Sequence, residues 1–218
     1  MKNEAKKYLT LALCLLAAFV LWTVVVSLVN VQPIGPANSA VGFAGINGAF
    51  HQLTGVHMAL YDLTDTLSVI PLGCVAAFGL LGLVQLIRRK DLRKVDGDLL
   101  VLGGFYVTVL AVFVLFEKLA VNYRPVLING VLEASYPSST TMLVLCVMPS
   151  VMLQLHGRMK AGVRKNCVQV MLAAFTAFMV IGRLISGVHW LTDIIGGVLL
   201  SIGLVLLYLA ALRFTKKQ

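Results

Sequence analysis

The stretch IIGGVLLSIGLVLLYLAAL, residues 194–212, decides the fold. It carries no charge, and a helix of that length crosses the roughly 30 Å of hydrocarbon in a bilayer. His189-Trp190-Leu191-Thr192-Asp193 precedes it and Arg213 follows it. An apolar span with chemically active residues at one end and basic residues at the other is the pattern on which the rest of the chain is built.

Working outward, five more windows of the same kind cover residues 8–29, 66–87, 99–119, 139–155 and 167–185. The chain has 218 residues, is 59% hydrophobic and has a mean hydropathy of +0.93, too apolar for an ordinary soluble domain. The reading is an all-α, polytopic membrane protein with six transmembrane helices. Residues 1–218 form a single membrane-embedded domain, and the even number of spans puts both termini on one side. The first apolar run follows Lys2, Lys6 and Lys7 and lacks a small-residue cleavage site at its end, so it reads as a retained span, not a signal peptide.

Of the 18 Lys and Arg residues, most flank the spans at one side: Lys2, Lys6, Lys7, Arg88, Arg89, Lys90, Arg93, Lys94, Arg158, Lys160, Arg164, Lys165, Arg213, Lys216 and Lys217. This is the positive-inside pattern, which makes both tails and these loops cytoplasmic in a cell membrane. A net charge of +9 is compatible with nucleic-acid binding, but charges placed this way set topology and meet lipid headgroups. The expected partners are the bilayer and a phosphorylated lipid, with no nucleic acid. Cys14, Cys74, Cys146 and Cys167 have no paired spacing and read as small packing residues.

Residues 32–55, rich in Gly, Ala and Asn, are too polar to span and too apolar for a free loop. They read as an outer interfacial or re-entrant segment over the mouth of the bundle. His51 lies near its end, and His57, Asp62 and Asp65 follow; each is read as a solvated interfacial residue in preference to a catalytic one. Gly79, Gly82, Gly196, Gly197 and Gly203 are read as helix-packing positions, and Pro71 as a kink.

The remaining basic residues, Lys118, Arg124 and Arg183, fall at the opposite, outward face. Arg presents a fork of donors that fits phosphate oxygens, and Lys a point charge. Pro137-Ser138-Ser139-Thr140 resembles a helix start, where free backbone N–H groups and hydroxyls receive anions. His189 and Asp193 are four residues apart, which puts them on one face of a helical segment. A carboxylate there fixes the imidazole tautomer and stabilises its cation, as suits a histidine attacking phosphorus. An Arg at mid-bilayer costs about 2.5–3.5 kcal/mol on insertion scales, so Arg183 asks for a partner. Together these residues point to an outward-facing phosphate site.

Three stretches, Glu117 to Pro125, Tyr136 to Thr140 and Gly182 to Asp193, resemble the signature motifs of the type 2 phosphatidic acid phosphatase superfamily, integral membrane lipid phosphatases related to vanadium haloperoxidases. The family pattern is K-x6-R-P, P-S-G-H and S-R-x5-H-x3-D, and here it occupies residues 117–193. The resemblance implies His189 as nucleophile through a phosphohistidine and Asp193 as its orienting carboxylate. It implies phosphate binding by Lys118, Arg124, Ser138, Ser139, Thr140 and Arg183, and no metal or other cofactor. The implied reaction is hydrolysis of an isoprenoid or glycerolipid phosphate or diphosphate at the outer leaflet.

This chain departs from the pattern in three places. Gly182 replaces the Ser of the third motif. Glu117 stands at the lysine position of the first motif, with Lys118 one residue late, about 100° round a helix. Thr140 replaces the histidine that protonates the leaving group, a role worth typically 10²–10⁴-fold. Three accounts of this last change stand side by side. In the first, the substrate is a diphosphate, whose leaving phosphate needs little protonation. In the second, another outer residue donates the proton, with Glu117, Glu133, His51, His57 and Tyr136 as candidates. In the third, the protein binds or moves lipid phosphates without turnover.

Overall fold

The computed structural model describes residues 2–215; Lys216 and Lys217 of the basic C-terminal run lie outside the described residues. Eight helices follow one another: α1 (Lys2–Leu28), α2 (Ala44–Thr54), α3 (Met58–Leu67), α4 (Val69–Arg89), α5 (Gly97–Leu119), α6 (Ser139–Arg158), α7 (Val163–Ile185) and α8 (Leu191–Thr215). Six helical stretches are long and apolar enough to cross a membrane, and α3 and α4 together make one of them, Met58–Arg89. Every predicted span is present, the first beginning at Lys2 instead of residue 8 and the second at Met58 instead of residue 66, and the described residues contain no strand beyond isolated bridges.

Helices α6 and α8 form the centre. About half of each is buried, against less than a quarter of every other span. Phe19 of α1, Leu102 and Phe105 of α5, Met142 of α6, and Leu204 and Tyr208 of α8 build the main core. Val144, Val147, Met148 and Val151 of α6 pack with Met179 of α7 in a second. Gly196 and Gly197 let α8 lie against Tyr136 and Thr141, and Gly203 receives Leu16, as the sequence predicts. Gly79 and Gly82 differ: nothing lies within 4 Å of a Cβ at either, because α4 faces outward with few neighbours. Of the cysteines only Cys146 is buried in the core, while Cys14 and Cys167 are exposed.

One end of the bundle carries the basic clusters, held by Arg89–Asp96 (2.8 Å), Arg158–Asp98 (2.6 Å) and Arg213–Glu4 (3.6 Å). Exposed pairs of this kind contribute at most about 1 kcal/mol each. The opposite end gathers the three motif stretches, the start of α6 and α8, and the ends of α5 and α7. The segment 32–55 crosses this end. A β-bridge between Gln32 and Val41 returns the chain to α2, whose Asn47 exchanges hydrogen bonds with Thr192 at the start of α8.

The expected kink also positions the site. α3 and α4 part at Ser68, three residues before Pro71, whose missing N–H leaves the carbonyl of Leu67 without its helical donor. Ser68 is instead held by its N–H and hydroxyl on the Asp65 carbonyl. The bend turns α3 against the end of α7.

Candidate active site

The turn from α7 to α8 carries the nucleophile candidate. Gly187 has φ +71°, and a Cβ there would stand 2.0 Å from the Gly55 carbonyl oxygen, so only glycine fits this crossing. His189 follows, 3% exposed. Asp193, in the first turn of α8, accepts from the Trp190 N–H through Oδ2 (3.0 Å) and from Asn122 Nδ2 through Oδ1 (3.0 Å). The carboxylate thus caps α8 while standing 3.8 Å from His189 Nδ1. That separation is too long for a hydrogen bond, and neither ring nitrogen of His189 has a partner among the described residues. With Nδ1 on the Asp193 side, Nε2 is the nitrogen free to react. Burial, then the charges of Arg124 and Arg183, push the His189 pKa down to about 4 against the pull of Asp193. The imidazole is therefore neutral at pH 7 and its lone pair is available.

Arg183, at the end of α7, is 1% exposed. Its guanidinium stacks over the Tyr61 ring at 4.7 Å and reaches Thr64 Oγ1 (3.3 Å) and Asp65 Oδ1 (3.4 Å), all on α3. Its Nε has no partner among the described residues. Arg124 is fixed by the loop between α5 and α6, where its N–H donates to the Glu133 carbonyl and Tyr123 bridges Ala134. Its Nε lies 2.9 Å from Glu133 Oε2, an ionic contact without an aligned hydrogen bond, and its Nη1 is unpartnered within the described residues. The Arg124 guanidinium lies 5.9 Å from the same Tyr61 ring, so one aromatic ring meets both cations. Ser138, at the start of α6, is fully buried, donates its N–H to the Asp193 carbonyl, and has an unpartnered hydroxyl. Buried donors without partners are costly and rare, and here three of them accompany an unpartnered imidazole. A tetrahedral oxyanion is the complement of this set.

Of the sequence-predicted site residues, Arg124, Ser138, Arg183, His189 and Asp193 come together. Ser139 and Thr140 lie beside them at the head of a cavity. Lys118 is exposed near the end of α5, as is Glu117 at the family's lysine position, and makes no ion pair or hydrogen bond among the described residues. The proposed replacement acids are mostly engaged elsewhere. His51 Nε2 meets the Gly187 carbonyl (3.2 Å), His57 Nε2 meets the Thr54 carbonyl (2.8 Å), and Glu133 faces Arg124. The Tyr136 hydroxyl bonds Thr23 (2.8 Å) and burial pushes its pKa up, which makes it a poorer donor. Tyr61 and Thr64 carry no signal as site residues, and Asp65 reads first as a solvated residue, since all three meet Arg183 more than a hundred positions along the chain. Asn122 stands inside the first motif stretch, but nothing in its local spacing marks it as the partner of Asp193.

The cavity, about 590 Å³, lies between α4, α5 and α6. Leu72, Val75, Val107, Leu110, Phe113, Leu143 and Val147 give it apolar walls, and Asp65, Ser68, Ser139 and Thr140 give it a polar head. Leu72, Val107 and Leu110 are themselves exposed on the outside of the bundle, so the cavity opens toward the surrounding lipid.

A family model described as the PAP2 superfamily matches residues 73–217. No curated protein matches the chain in sequence. Among solved structures, the chain is similar to the first transmembrane PAP2 type phosphatidylglycerolphosphate phosphatase from Bacillus subtilis, with a TM-score of 0.61 and 18% identity over 95% of this chain and 97% of that one. At that identity the likeness speaks for the fold.

Proposed function

The chain belongs to the PAP2 superfamily, and from that premise we propose that it is a membrane phosphatase. Its substrate is an isoprenoid or glycerolipid phosphate or diphosphate, with the diphosphate preferred. The observation that carries this is the set of unpartnered buried donors, Arg124 Nη1, Arg183 Nε and Ser138 Oγ, around His189, next to an apolar cavity open to lipid. Phosphoryl oxygens satisfy the donors and a hydrocarbon tail fills the cavity.

His189 Nε2 attacks phosphorus, and the imidazolium that forms keeps its Nδ1 proton toward Asp193. The two arginines and Ser138 take the charge that builds on the phosphoryl oxygens. Water then cleaves the phosphohistidine. Thr140 is too weak an acid to protonate an alkoxide, and a diphosphate, which leaves as phosphate, asks the least of any other acid at the site. The basic clusters at the far end of the bundle support an outward-facing site in a cell membrane with cytoplasmic termini. A second reading, lipid-phosphate binding or transport without turnover, draws its support from Thr140 alone.

The test is phosphate release in detergent from a polyprenyl diphosphate, its monophosphate and phosphatidate, with His189→Ala as control. Release that favours the diphosphate and vanishes in the variant is expected. No release from any of them, with lipid-phosphate binding retained, moves the protein to the second reading.

A further inference from the structure

We propose that Asp65 is the acid that protonates the leaving group in this chain, in place of the histidine that Thr140 replaces. The assignment rests on the phosphatase reading above, and Asp65 lies outside the residues 73–217 that the family model matches.

Three observations bear on it. First, Asp65 and Thr140 line the polar head of one cavity, whose walls run down into the apolar region. A lipid whose phosphoryl group sits on Arg124, Arg183 and Ser138, and whose tail lies in the cavity, must pass its ester oxygen through that head. Second, Asp65 Oδ1 stands 3.4 Å from Arg183 Nη2, which puts the carboxyl one contact from the group that grips the phosphoryl oxygens. The Asp65 side chain is otherwise uncommitted: more than half exposed, with its other carboxylate oxygen in no hydrogen bond among the described residues. Third, the departures from the family pattern fit together. A Cβ at Gly182 would stand 2.8 Å from Thr64 Cγ2. The glycine at the family's serine position is what lets α3 close on α7 and bring Asp65 to Arg183.

The proton arrives with the substrate. A phosphate monoester has a second ionisation near pH 6, so part of it binds as the monoanion, and its proton is then shared with the neighbouring carboxylate. In the first half-reaction the His189 Nε2–P bond forms and the P–O bond to the lipid breaks. The electron pair stays on the lipid oxygen, which takes the proton from Asp65 and leaves as the alcohol. In the second, the Asp65 carboxylate takes a proton from water as the water oxygen attacks phosphorus. The N–P bond breaks, its electron pair returns to His189, and phosphate leaves with the proton that Asp65 took, which restores the carboxylate.

A carboxylate that merely held Arg183 would affect every substrate alike, so the test compares leaving groups. The kcat/KM of Asp65→Asn, which reports phosphohistidine formation and not its hydrolysis, is measured on a long-chain alkyl phosphate and on 4-nitrophenyl phosphate, whose phenolate leaves without a proton. The expected loss is about 10²–10⁴-fold on the alkyl ester and under about tenfold on the aryl ester. Adding Thr140→His to Asp65→Asn restores the alkyl ester selectively. Equal losses on the two esters, or no loss on either, overturn the assignment and leave the phosphatase reading standing. A wild-type protein that cleaves a polyprenyl diphosphate but neither ester overturns the assignment alone, and one that cleaves none of the three removes both.

Discussion

Gly182 and Thr64 meet where α7 and α3 cross, with room for no side-chain atom between them: a Cβ at 182 would lie 2.8 Å from Thr64 Cγ2. Thr64 cannot easily retreat, because its hydroxyl is held on the carbonyls of Leu60 and Tyr61. The crossing fixes Tyr61 and Asp65 against Arg183, so a backbone packing detail sets the surroundings of a phosphate-binding guanidinium.

Gly182→Ser, which restores the family residue, is accordingly expected to harm this protein. Overpacking at such a contact costs about 1–3 kcal/mol. Thermal stability in detergent should fall, and the KM for lipid phosphates should rise as Arg183 loses its α3 partners. Combining Gly182→Ser with Thr64→Ser, which removes Cγ2 and keeps the hydroxyl that meets Arg183, should recover most of both, a coupling that a double-mutant cycle measures directly. A neutral single variant would show that α3 is free to move away.

His189 offers a pH test. Its pKa is held near 4 in the folded protein by burial first and the two arginines second, below the ordinary value of 6.5. The folded state therefore disfavours the protonated ring. The stability that this neutral form contributes is complete above pH 6.5 and is lost as pH falls toward 4. At pH 5 the linkage relation gives a loss of about 2 kcal/mol relative to neutral pH. His189→Gln should remove that part of the acid sensitivity, read as a smaller drop in Tm between pH 7 and pH 5. NMR should show the His189 ring titrating near 4. Inorganic phosphate should raise its pKa, since an anion on Arg124 and Arg183 offsets their field.

The spans were legible because an uncharged run of about 20 residues, in a chain this apolar, fits the bilayer better than any aqueous fold. The third motif was legible because Arg183, His189 and Asp193 lie on one short stretch, and local spacing carries through the α7–α8 turn into the fold. The role of α3 was not. Residues 58–67 are short and carry Asp62 and Asp65, so the hydropathy signal begins at Thr66, and Asp65 reads as a solvated residue just outside the bilayer. Its partner Arg183 is fixed by the bend at Ser68 and the glycine at 182, and no local pattern encodes that pairing. Lys118 shows the opposite case: its residue type fits the motif, but the last turn of α5 is exposed at Glu117, Lys118 and Leu119 alike and holds it in no ion pair or hydrogen bond among the described residues. Gly79 and Gly82 pack nothing, because small residues in a span mark packing only where another helix arrives.

The cavity makes the final prediction, about the tail. Leu110 lines it from α5 and is 60% exposed, so a larger side chain there can narrow the opening without entering the core. Leu110→Trp should raise the KM for long-chain lipid phosphates about tenfold, the equivalent of about 1.4 kcal/mol of lost tail contact. That is about two methylenes at about 0.8 kcal/mol each, a modest demand on a cavity of about 590 Å³. A short-chain phosphate that reaches only Ser139 and Thr140 at the polar head should be unaffected. The kcat for both should stay near the wild-type value, because nothing at Leu110 touches Arg124, Arg183 or His189. An equal rise in KM for short and long chains would mean that the tail lies elsewhere, and with it the path by which the leaving oxygen passes Asp65.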